Sequence, residues 1–120
     1  MGLIKLTVTV TNLMKSKPGY EELFLVDIGA LDCMAPESEL LKAGIQVEGR
    51  DVYDLANGQP VEYKYGFARV AFMGSETVTQ IIFGPEEVEP ILGVVALENA
   101  GIAVDPVSKT LRRMTAKSLK

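Results

Sequence analysis

The chain predicts a mainly β domain, a small closed or strongly curved sheet accompanied by two short helices. Three observations carry that prediction. Residues 3–13 alternate, with Ile4, Leu6, Val8 and Val10 on one face and Lys5, Thr7, Thr9 and Thr11 on the other. A period of two marks a half-buried strand. Turn chemistry then recurs at short intervals, at Lys15-Ser16-Lys17-Pro18-Gly19, at Asn57-Gly58 and at Met73-Gly74-Ser75-Glu76, so several strands are packed into a short chain. Helical punctuation appears at two places and brackets short stretches at both.

The elements follow in order. After the first strand and its turn, residues 21–27 return as a second strand, and the two form a hairpin. The run Phe24-Leu25-Val26 lacks alternation, which suits a strand buried on both faces. Residues 31–35 are a short apolar stretch. Pro36 then opens a helix over residues 37–43, with acids near its start, Lys42 near its end and Gly44 as its stop. Leu40 and Leu41 are its expected docking residues. Strands are expected at 52–55 and 61–63 around the Asn57-Gly58 turn, and at 67–72 and 78–83 around Gly74. Gly84-Pro85-Glu86-Glu87 reads as a loop, and Glu86, Glu87 and Glu89 as solvated acids. Residues 94–100 read as a second short helix closed by Gly101, and 102–104 as a strand. Asp105-Pro106-Val107-Ser108 turns the chain into a last strand near Leu111.

Length and composition set limits on function. At 120 residues the chain is expected to be one domain, spanning 1–120, with its core over about 3–114 and residues 115–120 as a flexible tail. The net charge of −4 and the lack of a basic block argue against nucleic-acid binding. Neither a charged leader nor an apolar run of membrane-spanning length is present, so the expectation is a cytoplasmic protein without membrane contact. Cys33 is the single cysteine, which excludes an internal disulfide, and without a charged neighbour of opposite sign it reads as a buried, inert thiol. The sequence has no histidine. Ser-His and Cys-His nucleophiles are thereby removed, along with the commonest zinc ligands. Hydrolytic chemistry would then rest on carboxylates, on lysine or on a metal held by oxygen. Asp27 and Asp32 have no third acid at convincing ligand spacing, so no metal and no cofactor are expected, and Asp32 reads as solvent-facing. Tyr53, Tyr63, Tyr65 and Phe67 read as cross-strand packing, with no binding role assigned.

The sharpest feature is Phe24-Leu25-Val26-Asp27-Ile28-Gly29-Ala30, an apolar strand that delivers one carboxylate into a glycine turn. Ile91-Leu92-Gly93 follows 64 residues after Asp27, ahead of another apolar segment. Together with Leu55-Ala56-Asn57-Gly58 between them, and the run from Ala96 to Ile102 with Val104-Asp105, these stretches resemble the retropepsin-like aspartic proteases, in particular the small single-domain prokaryotic members. The resemblance covers roughly residues 3–114. It implies a closed β-barrel acid-protease fold and a homodimer with one catalytic aspartate per subunit, Asp27. Ile28, Gly29 and Ala30 would complete the active-site loop, with a Gly29 N–H directed at the carboxylates. Ala56, Asn57 and Gly58 would form the tip of a flap over an extended peptide or protein substrate. Ile91, Leu92 and Gly93 would support the loop.

Two residues depart from that pattern. Ile28 stands where the family carries Thr or Ser, whose hydroxyl bonds across the dimer, and each buried polar group left without that partner costs roughly 1–3 kcal/mol. Leu31 replaces a small hydroxyl residue. The expected function is therefore an aspartic endopeptidase, weakened or silenced by Ile28. The alternative is a catalytically inactive domain that binds a peptide or partner protein in the same cleft, and a purely structural dimerisation module is the third reading.

Overall fold

A computed structural model of the chain describes residues 3–105, 107–117 and 119. Pro106 of the expected turn, and Ser118 and Lys120 of the expected tail, lie outside the described residues. The protein is mainly β with two short helices, in the order β1 (Lys5–Thr11), β2 (Tyr20–Val26), β3 (Cys33–Pro36), α1 (Glu37–Lys42), β4 (Gly49–Asp54), β5 (Pro60–Phe72), β6 (Ser75–Gly84), β7 (Ile91–Leu92), α2 (Val94–Asn99), β8 (Ile102–Asp105) and β9 (Thr110–Arg113).

Seven strands form one sheet in the order β1-β2-β7-β3-β6-β5-β4, and β1 pairs also with β5, so the strand order returns on itself. Strands β8 and β9 make a separate two-stranded sheet. The alternation read in residues 3–13 is realised in β1, where Val8 and Val10 are fully buried. They join Phe24, Ala68, Val70, Ile81, Leu92 and Leu97 in one apolar core. In β2 the burial is less complete than the unbroken apolar run implies. Phe24 is buried, whereas Leu25 and Val26 are half-buried.

Three elements differ from expectation, each for a local physical reason. The stretches 61–63 and 67–72 are one strand, β5, which runs through Gly66. A Cβ at Gly66 would lie 2.3 Å from the Gln46 carbonyl oxygen, so glycine here permits close backbone approach rather than a break. The apolar residues after the glycine turn yield strand β3, pairing parallel with β6 from Cys33 opposite Ile81 to Pro36 opposite Gly84. Ile91 and Leu92 form β7, too short for any periodicity to reveal it.

Helix α1 begins after Pro36 and ends at Lys42, with Gly44 in the left-handed region at φ +85° as its stop. Leu40 is buried, but Leu41 faces outward at 48% exposure, because adjacent helical positions point about 100° apart. Nor is Glu86 simply solvated. Its carboxylate accepts the Ser38 backbone N–H at 3.1 Å and the Ser38 hydroxyl, satisfying a free N–H in the first turn of α1. Those bonds hold the Glu86 carboxyl below its usual pKa. Glu89 pairs with Lys5 at 3.0 Å.

Candidate functional site around Asp27

Strand β2 ends at Val26 and passes the chain directly to Asp27. The backbone there is fixed from two sides. Leu25 N–H donates to the Pro90 carbonyl at 2.9 Å and Asp27 N–H to the Leu92 carbonyl at 3.1 Å. After the turn, Val94 N–H donates to the Ala30 carbonyl at 2.9 Å and Val95 N–H to the Leu31 carbonyl at 3.2 Å. Strand β7 therefore lies between the two arms of the Asp27 loop, parallel to β2 (Leu25 opposite Ile91, Val26 opposite Leu92) and antiparallel to β3 (Met34 opposite Ile91). This arrangement brings 27–30 together with 91–93. Gly93 is the contact point. A Cβ there would sit 2.6 Å from the carbonyl carbon and oxygen of Asp32 and 2.7 Å from the Leu31 oxygen. Only a residue without a side chain fits.

Within the loop, the half-buried Asp27 carboxylate accepts the Gly29 N–H at 3.0 Å, and its carbonyl accepts the Ala30 N–H at 3.1 Å. These bonds orient the carboxylate without any help from residue 28. Ile28 and Leu31 turn outward, 63% and 61% exposed. Residues 27–31 and 91–93 thus present one carboxylate beside two exposed apolar side chains.

The hairpin tip is held by its own backbone. Leu55 N–H donates to the Gln59 carbonyl at 2.9 Å, Gly58 N–H to the Leu55 carbonyl at 2.8 Å, and Gln59 N–H to the Asn57 side-chain oxygen at 2.9 Å. Gly58 takes φ +85° and Asn57 does not have positive φ. The connection is therefore a turn closed by a left-handed glycine, in place of the two-residue primed turn that Asn-Gly most often makes. Ala56, Asn57 and Gly58 are exposed, and a Cβ at Gly58 would meet nothing within 4 Å.

Asp32 contradicts the solvent-facing expectation. It is 8% exposed, and its Oδ2 accepts the Tyr53 hydroxyl at 2.8 Å. The Gln80 side-chain amide donates to the same Tyr53 oxygen at 2.9 Å. Partial burial, and then the bond to Asp32, push the Tyr53 hydroxyl above its usual pKa, so it remains a donor. Tyr53 thus has a polar contact that its aromatic character concealed. Its ring also packs on Tyr63, centroids 6.3 Å apart, and Tyr65 meets Phe67 edge-on at 5.9 Å. No local sequence signal marks this contact, which arises from the parallel pairing of β3 with β6. That pairing sets Asp32 and Gln80 one residue before the partners Cys33 and Ile81.

Cys33 is buried, and burial chiefly raises its thiol from 9.0 to about 11. It is an inert thiol under neutral conditions. Among the described residues no group of three or more His, Cys, Asp or Glu is placed to hold a metal ion. No helix among them is long and apolar enough to cross a membrane. Comparison of the chain with protein-family models and with curated proteins gives no match.

Proposed function

We propose that this chain is a subunit of a retropepsin-like aspartic endopeptidase. In this reading the sheet closes into the acid-protease barrel, and two copies meet with their Asp27 loops on a common two-fold axis. The supporting observation is the Asp27 loop itself. A single carboxylate at the end of β2 is oriented by the Gly29 N–H and clamped by β7 from a distant part of the chain.

The chemistry follows from pairing two such carboxylates. Like charges in close contact resist double ionisation, so the pair shares one proton and titrates as a unit. The ionised Asp27 removes a proton from a water molecule as the water oxygen attacks the scissile carbonyl carbon. The protonated Asp27 of the other copy donates a hydrogen bond to the carbonyl oxygen, and a proton then passes to the departing amine. The exposed tip at 56–58 serves as the flap, and the substrate is an extended peptide or protein segment bound as an added strand. No cofactor, nucleic acid or membrane enters this scheme, and a cytoplasmic setting is part of the proposal.

Ile28 favours a second reading, an inactive domain that binds a peptide or partner in the same cleft. The two are separated by cleavage of a mixed peptide library between about pH 4 and 7, the range in which a shared-proton carboxylate pair works. Under the protease reading the wild-type chain cleaves, Asp27→Asn abolishes cleavage, and Ile28→Thr retains or raises it. Absence of cleavage by both the wild type and Ile28→Thr rejects the protease and leaves the binding domain.

A further inference from the structure

Resting on the reading of residues 55–59 as a flap, we propose that the Tyr53–Asp32 hydrogen bond is a latch that sets the resting position of this hairpin relative to the Asp27 loop. Tyr53 is then a positioning residue, and Gln80 aims its hydroxyl.

Strand β4, which carries one arm of the hairpin, ends the sheet order and, among the described residues, pairs with β5 alone. Backbone bonding therefore holds that arm on one side alone. Among the described hydrogen bonds and ion pairs, those that join β4 to strands or loops other than β5 all pass through the Tyr53 hydroxyl. Tyr53 is also one residue short of the end of β4, at the base of the projecting loop. A tether there holds the hairpin close to its tip, with only residues 54–59 between it and β5.

The two ends of the bond differ in rigidity. Asp32 is buried, lies five residues after Asp27, and rests with its carbonyl against Gly93, so it cannot shift without displacing β7. At the hairpin tip Ala56, Asn57 and Gly58 are exposed, and a Cβ at Gly58 would meet nothing within 4 Å. The arrangement is a fixed anchor and a movable arm. The hydrogen-bond directions add specificity. A tyrosine hydroxyl has one proton, the Gln80 amide fills an oxygen lone pair, and the proton is thereby committed to the Asp32 carboxylate. Lifting the hairpin to admit a peptide breaks the bond, and closing over the peptide restores it.

The test is hydrogen–deuterium exchange on the full chain, with wild type, Tyr53→Phe, Asp32→Ala and Asp32→Asn compared. Tyr53→Phe keeps the ring against Tyr63 and removes only the hydroxyl. It is expected to speed exchange in residues 50–63 by roughly tenfold, the share of a charge-assisted bond, with residues 102–113 unchanged. Asp32→Ala matches it. Asp32→Asn, which keeps an acceptor oxygen, restores most of the protection. Unchanged exchange at 50–63 in Tyr53→Phe overturns the latch, and so does an equal rise in both regions, which reports plain loss of stability. Exchange needs no turnover, so the result stands apart from the protease reading. Local release keeps the latch even where neither the wild type nor Ile28→Thr cuts a peptide and the protease reading falls.

Discussion

Gly93 shows how much of this site depends on atoms that are missing from a side chain. Its backbone is extended, so alanine meets no torsional objection there, yet a Cβ would lie inside the van der Waals surface of the Asp32 carbonyl. Gly93→Ala is expected to destabilise the fold by about 1–3 kcal/mol through overpacking, measured by urea denaturation. Because the strain falls on the backbone between Leu31 and Asp32, cleavage by the proposed enzyme is expected to fall further than stability alone explains. A variant as stable and as active as wild type would show that the loop yields easily. Asp32 belongs to the same scale. Its burial was hidden from the sequence, since an aspartate between a leucine and a cysteine carries no mark of a tyrosine 21 residues on. Asp27 was legible because its apolar approach and its glycine are both local.

At the scale of elements, legibility tracked length and punctuation. Strand β1 was readable from its alternation and α1 from Pro36 and Gly44, because both signals are written within the element. Strand β7 is two residues long and exists through its neighbours β2 and β3, so no local pattern encodes it. Asn12 is the unread joint between elements. It is 7% exposed; its amide donates to the Ala43 carbonyl at 2.9 Å, and its side-chain oxygen accepts N–H groups from Met14 and Ser16. One side chain thus closes the end of α1 and orders the connection from β1 to β2. Asn12→Ala leaves these groups without partners and is expected to cost about 1–3 kcal/mol, seen as a lower denaturant midpoint. Asn12→Asp, which keeps the acceptor and loses the donor, should fall between the two. Equal stability in all three would remove Asn12 from this role.

For the whole molecule the decisive quantity is the state of association. A single chain offers one Asp27, with Ile28 and Leu31 exposed beside it. The proposed pair therefore requires a second copy that covers them. Specific activity is expected to fall on dilution, and the melting temperature to rise with protein concentration. Activity per chain that stays constant over about a hundredfold dilution into the monomeric range, checked by sedimentation, would reject a shared site. The late position of β7 has a further consequence, which concerns synthesis rather than chemistry. Residues 91–93 leave the ribosome well after Asp27, and closing so long a loop comes at an entropic cost before its contacts form. A nascent chain can lay down the β1–β2 hairpin early, but its aspartate has no clamp until residues 91–93 have emerged. On the proposed reading, a nascent chain can cut nothing until residues 91–93 have emerged and closed on the Asp27 loop.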